Sequence, residues 1–211
     1  MLQVKHKMSK IDFFDATKEH GFFSNFYKGS TPLSYQGLLF ETSEHLYQWF
    51  KFLYTDANEA TRKYAEIVRT ARTANQSRLL AQQKIGGGYE WRTALNPIIK
   101  KSIDEGVTPD PKWEEVKLDR MRTALRVKFS DAIMRSFLVK TGNAVLREAS
   151  PYDSFWGIGR NGNGQNWLGR LLMELREELA QDLSPTIVSA SSNTLTSKPK
   201  RLRDPSPVSP N

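Results

Sequence analysis

The sequence predicts an α+β domain that is predominantly helical: a single compact unit with a few short strands. Three observations predict it. Apolar residues recur at helical spacing in five stretches between residues 42 and 183. Only two short stretches, 33–40 and 144–149, show strand patterning between turn formers. The chain has 211 residues, 38% of them hydrophobic and 11% aromatic. At ~150 residues per domain that supports one globular core and some extra length. We place the domain at residues 11–183, between a basic N-terminal extension (1–10) and a Ser/Pro-rich basic tail (184–211) expected to be disordered.

In chain order, Leu33 to Phe40 holds Tyr35, Gly37 and Phe40 between turn formers and reads as half a hairpin. Thr42 or Ser43 can cap a helix with Glu44 in its first turn, running to about Tyr54. Leu46, Trp49, Phe50 and Leu53 form its apolar stripe, and Glu44, Gln48 and Lys51 a second stripe opposite. Residues 58–83 read as one or two Arg- and Ala-rich helices ended by Gly86-Gly87-Gly88. Trp113 to Phe129 is helical, with Val116, Met121, Leu125 and Phe129 inward, and 131–140 adds a shorter helix stopped near Gly142. Ala144 to Ala149 reads as a strand leading into Ser150-Pro151. The last helix spans Trp167 to Leu183 and buries Leu168, Leu171, Leu172, Leu175 and Leu179.

Composition narrows the function. The absence of cysteine excludes disulfides, thiolate metal sites and a cysteine nucleophile. The three histidines, at 6, 20 and 45, show no metal-ligand spacing, so no metal or cofactor is expected and His45 reads as structural. No apolar run reaches a membrane span, and the N-terminus lacks the apolar core of a signal peptide. An intracellular, cytoplasmic setting is expected, with a nuclear one left open by the tail cluster Lys198-Pro-Lys-Arg-Leu-Arg203. Of the net charge of +8, the first ten residues carry +3 and the tail +3, leaving +2 for the body. A body this near neutral argues against a duplex-binding surface, although the basic ends could add salt-sensitive affinity for nucleic acid.

The chemistry concentrates in three segments. From Ser150 to Gly169, Asp153 and Trp156 precede a run of glycines that ends where a helix begins. Gly157, Gly162, Gly164 and Asn166 would present backbone N–H groups to an anion, and Arg160 would pair with its charge. The run Gly157-Ile-Gly-Arg-Asn-Gly162 also matches the GxGxxG dinucleotide fingerprint. That reading fails, because no second strand with an acidic end follows ~20 residues later. In the second segment, Glu44, Gln48 and Lys51 either form a solvated face or place a carboxylate and an ammonium in a cleft. In the third, Gly21 to Tyr27, Asn25 could hydrogen-bond a base or sugar while Phe26 or Tyr27 stacks on it.

Together these residues resemble the NADAR domain family, the YbiA-like N-glycosidases. The resemblance rests on Phe23-Ser-Asn-Phe-Tyr27, Gly37, and Thr42-Ser-Glu-His45 with Gln48 and Lys51. It continues through Met121 to Phe129, Thr141-Gly142, Glu148-Ala-Ser-Pro151, Asp153 and Trp156-Gly157. Gly164, Asn166, Leu168-Gly169 and Leu172-Met173 complete it, so that it covers roughly residues 11–180. It implies a largely helical domain that hydrolyses N-glycosidic bonds. The family substrates it implies are ribosylamino-pyrimidine 5′-phosphate intermediates of riboflavin biosynthesis or, in other members, ADP-ribosylated guanine in nucleic acid.

Hydrolysis of an N-riboside develops positive charge on the sugar, which a carboxylate can stabilise while it activates water. The expected catalytic pair is Glu44, as base or electrostatic stabiliser, and Asp153 on the sugar or leaving base, with the two roles exchangeable. Trp156 would stack on the base and Asn25 orient it. Lys51, Arg160 and the Gly162–Asn166 backbone would hold phosphate. The alternatives are an ADP-ribosyl-guanine glycohydrolase and a noncatalytic ADP-ribose or nucleic-acid binding module. The acid pair favours an enzyme over a binding module, and the resemblance implies a small phosphoribosyl substrate as its partner.

Overall fold

A computed structural model describes residues 9–183. The tail reading for 184–211, and most of the N-terminal extension, lie outside the described residues. The domain is mostly helical with few short strands, as expected. Its centre is α1 (Ser43–Phe50), which packs on α2 (Glu59–Arg69), α3 (Ala74–Gln82) and α6 (Trp113–Lys128). Enclosed on these sides, all eight residues of α1 are buried. Glu44, Gln48 and His45 are therefore interior groups, and the solvated-face reading of the polar stripe fails. His45 is held in place by Thr42 Oγ1 on Nδ1 (2.8 Å) and the Ala71 carbonyl on Nε2 (3.0 Å).

Thr42 caps α1, its hydroxyl accepting from the His45 N–H, while the Ser43 hydroxyl turns to Asn25. The helix ends at Phe50, four residues before the expected end. The N–H groups of Phe52 and Leu53 reach back three residues rather than four, and the Asp110 N–H takes the Lys51 carbonyl (2.8 Å). The chain leaves the helix where that distant donor waits.

The segment 33–40 is a whole hairpin rather than half of one. Strands β2 (Leu33–Tyr35) and β3 (Leu38–Phe40) pair antiparallel across Gln36 and Gly37. Both turn residues have positive φ, 50° and 78°, as a tight two-residue hairpin requires. A second sheet pairs β1 (Lys10–Phe13) in parallel with β4 (Val145–Glu148). The local pattern did not predict β1, whose partner lies far along the chain, and Lys10 belongs to it rather than to a free extension. On the C-terminal side, α7 (Ala132–Lys140) and α8 (Trp167–Leu183) follow the expected bounds, and α8 packs on β4 and α7. Two unforeseen helices, α4 (Glu90–Thr93) and α5 (Asn96–Asp104), fill the stretch after Gly88. Among the described residues, no helix is long and apolar enough to cross a membrane.

The core joins Phe23, Phe40, Leu46, Phe52, Leu125, Phe129, Leu146 and, from α8, Leu168, Leu171 and Leu172, each at most 1% exposed, while Leu175 is also buried and Leu179 half-buried. Fully burying one such side chain stabilises the fold by about 1.5–3 kcal/mol. A buried cation crosses this core. Lys128 Nζ donates to the Ser24 carbonyl at 2.7 Å, between the rings of Tyr27 and Phe129. Burial holds its ammonium down to about 7.

Candidate active site

A cavity of about 970 Å³ opens beside α1 and is bounded by α3, α6, the end of β4 and the loop after it. Seven sequence-predicted site residues line it together: Asn25, Phe26, Glu44, Gln48, Lys51, Asp153 and Trp156. They come from three distant segments that α1 unites. The Asn25 carbonyl accepts the Glu44 N–H at 3.1 Å, and the Ser43 hydroxyl donates to Asn25 Oδ1 at 3.0 Å. The aromatic loop is thereby fastened to the first turn of the helix that carries the acid.

Glu44 is 6% exposed, and Gln48 Nε2 donates to its Oε1 at 2.8 Å from one turn further along. Burial pushes the Glu44 carboxyl up to about 7, opposed by the Gln48 hydrogen bond and the Arg78 charge, while the charge of Asp153 adds to the rise. Asp153 Oδ1 accepts two backbone N–H bonds, from Phe155 (2.8 Å) and Trp156 (2.7 Å), which anchors the loop to its own acid. Aromatic rings form one wall. Tyr47 meets Trp113 at 5.1 Å and Trp156 edge-on at 5.5 Å between centroids.

Cations line the same cavity. Lys51 Nζ donates to the Ala81 carbonyl (3.2 Å) and lies 5.8 Å from the centre of the Trp113 ring, and burial lowers the pKa of its ammonium. Arg78 on α3 and Lys117 on α6 complete the group. Lys117 Nζ sits 3.9 Å over the Phe155 ring. Sequence reasoning missed Arg78 and Lys117, because a basic residue on a helix reads the same whether it faces water or a cavity.

It also missed Glu148. Along β4, Leu146 and Glu148 share a face by strand alternation, while Arg147 turns outward to a bidentate pair with Asp12. Leu146 is fully buried, so Glu148 carries its carboxyl inward into the cavity. Its Oε2 is buried, with no hydrogen-bond partner among the described residues. Burial pushes the carboxyl up to about 8, with the charges of Asp153 and Glu44 adding. An acid on the apolar face of Ala144–Ala149 was the available sequence signal.

The glycine loop is not brought to the cavity. Gly157, Arg160, Gly162, Gly164 and Asn166 are absent from the lining, and Arg160 is exposed. Three of the four N–H groups expected to be free, those of Gly162, Gly164 and Asn166, are engaged internally. Gly162 donates to Gly159, Gly164 to Ile158 and Asn166 to Gly157, while Trp167 and Leu168 at the start of α8 donate to Phe155 and Trp156. The Asn166 side chain bridges the Glu148 N–H and the Leu146 carbonyl, both at 2.9 Å. Gly164 is needed for close approach, since a Cβ there would lie 2.4 Å from the Gly157 carbonyl oxygen. The loop closes on itself to hold Asp153 and Trp156 from behind. Among the described residues, no three His, Cys, Asp or Glu side chains converge as metal ligands would.

The NADAR domain model matches residues 12–180. The chain is 36% identical over 181 residues to the N-glycosidase YbiA of Shigella boydii serotype 4 (strain Sb227), covering 84% of this chain and 94% of that protein. It is 34% identical over 173 residues to the chloroplastic riboflavin biosynthesis protein PYRR of Zea mays, covering 80% of this chain and 25% of that one. The NMR structure of the E. coli protein YbiA superposes with a TM-score of 0.60 at 32% identity, covering 85% of this chain and 91% of that one.

Proposed function

The chain belongs to the NADAR domain family as a YbiA-like N-glycosidase, and on that premise we propose that it hydrolyses ribosylamino-pyrimidine 5′-phosphates. The products are ribose 5-phosphate and the free pyrimidine. The observation that carries this reading is the Glu44 carboxyl, buried in the cavity and held by Gln48 beside Asp153.

As the C1′–N bond lengthens, positive charge grows on the sugar, and a carboxylate in a water-poor site stabilises it far more than one in bulk water. Glu44 takes the proton of the attacking water, and Asp153 engages the sugar. Trp156 stacks on the pyrimidine, and Asn25, locked by Ser43, orients it. Lys51 holds the phosphate as expected, with Arg78 and Lys117 of the cavity wall in place of Arg160 and the glycine backbone. The similarity to a riboflavin biosynthesis protein supports the pyrimidine substrate.

One observation favours a second reading. A cavity of about 970 Å³ stands at the upper end of the ~300–1,000 Å³ of small-molecule sites, which suits a bulkier ADP-ribosyl-guanine substrate. The deciding experiment incubates the protein separately with ribosylamino-pyrimidine phosphates and with ADP-ribosylated guanine oligonucleotides. Release of pyrimidine and ribose 5-phosphate supports the first reading. Release of ADP-ribose alone transfers the function to the second, and no release from either leaves a binding module.

A further inference from the structure

We propose that Glu148 is a third catalytic carboxyl, the acid that protonates the leaving nitrogen. The inference rests on the N-riboside reading above. Three features of the fold carry it. Strand alternation forces Glu148 onto the face of buried Leu146, so that its side chain enters the cavity from the side of β4 while Glu44 enters from α1. Both of its main-chain groups are tied down, the N–H by Asn166 Oδ1 at 2.9 Å and the carbonyl by the Ile158 N–H at 2.8 Å. Its Oε2 is buried with no partner among the described residues. A buried carboxyl oxygen without a partner destabilises the fold, a penalty that a ligand group accepting its proton would relieve.

Asp153 is less suited to the task, because its Oδ1 already accepts two N–H bonds. The other charged groups of the lining are Asp15 in the loop after β1, Lys51 at the end of α1, Arg78 on α3, and the ion-paired Glu114 and Lys117 on α6. The two acids that act on Glu148, Asp153 and Glu44, join burial in keeping its carboxyl protonated up to about 8.

The step balances. The C1′–N bond breaks with its electron pair moving to nitrogen, which takes the Glu148 proton and leaves as the free amine. Water adds to C1′ and gives its proton to Glu44. Glu148 ends ionised and Glu44 protonated, and exchange with solvent restores both.

The test compares the full chain with Glu148→Gln and Glu148→Asp on two substrates. One is a ribosylamino-pyrimidine 5′-phosphate, and the other is a 4-nitrophenyl riboside 5-phosphate, whose leaving group departs without a proton. We expect Glu148→Gln to lose ~10²–10⁴-fold on the amine substrate and less than about tenfold on the nitrophenyl one, with the alkaline limb of the kcat/KM profile gone. Equal losses on both substrates, or an alkaline limb that survives, would overturn the assignment. If Glu148→Gln does not fold, Glu148→Asp decides, since an acid of altered reach and pKa moves the alkaline limb and a bystander does not. If the wild type spares the ribosylamino-pyrimidine but cleaves ADP-ribosylated guanine, the substrate reading fails and the same comparison is made on guanine release. If it cleaves no N-riboside at all, the assignment falls with the reading beneath it.

Discussion

Gln48 donates to Glu44 Oε1 at 2.8 Å from one turn along the same helix, so the buried acid is aimed by a neighbour that moves with it. That hydrogen bond opposes the upward push of burial on the Glu44 carboxyl. Gln48→Met keeps the volume and removes the donor. The Glu44 pKa should then rise above about 7, moving the acid limb of kcat/KM to higher pH. We expect a loss of about tenfold at neutral pH, as for a rise of about one unit in the pKa of the base. A pH–rate profile with an unmoved acid limb would mean that Gln48 packs without tuning.

Stability should respond to pH through the same carboxyl. In the unfolded chain Glu44 returns to an ordinary value of 4.5, against about 7 in the fold. A group raised on folding contributes most below its unfolded pKa and loses that contribution as pH climbs through the folded one. Wild-type stability relative to Glu44→Gln should therefore fall between pH 4.5 and about 7. Taking the difference between the two proteins cancels the buried Lys128, whose ammonium is lowered and acts in the opposite sense. Urea unfolding at several pH values measures it, and a flat difference would contradict the raised carboxyl.

Phosphate recognition should follow the cavity rather than the glycine loop. Arg78→Ala should weaken a phosphorylated substrate about tenfold to a hundredfold more than its dephosphorylated analogue, as expected for one charge-assisted contact of ~1.5–3 kcal/mol. Arg160→Ala should leave both nearly unchanged. Comparing KM for the two substrates in each variant checks the assignment, and a selective loss at Arg160 would reverse it.

Gly164→Ala tests the loop's role as a support. The added methyl meets only backbone atoms of Gly157, Ile158 and Ser154, which cannot rotate away. Overpacking of this kind costs about 1–3 kcal/mol. Thermal unfolding should show the loss, and turnover of phosphorylated and dephosphorylated substrates should fall alike as Asp153 and Trp156 shift. A defect confined to phosphorylated substrate would restore the anion reading.

Much of this was legible in the chain. The Thr42 cap, the bounds of α8 and the inward leucines of α8 follow from local chemistry, since caps and helical periodicity act over a few residues. Strand β1 did not, because its ladder partner lies 135 residues away and four residues carry too little pattern. The glycine loop misled for a related reason. The same composition serves an anion cradle or a tightly closed turn, and the difference lies in where its N–H groups go, which only tertiary contacts decide. Glu148 stood in plain view on an apolar strand face, and strand alternation alone marked it.

If Glu44 is the base proposed for the N-glycosidase site, its removal should abolish the chemical step. Single-turnover hydrolysis of a ribosylamino-pyrimidine 5′-phosphate by Glu44→Gln tests it most directly, because the amide keeps the shape and can accept no proton from water. The rate should fall by ~10²–10⁴-fold with the thermal midpoint maintained or raised. A folded Glu44→Gln protein that hydrolyses the substrate at close to the wild-type rate would contradict it.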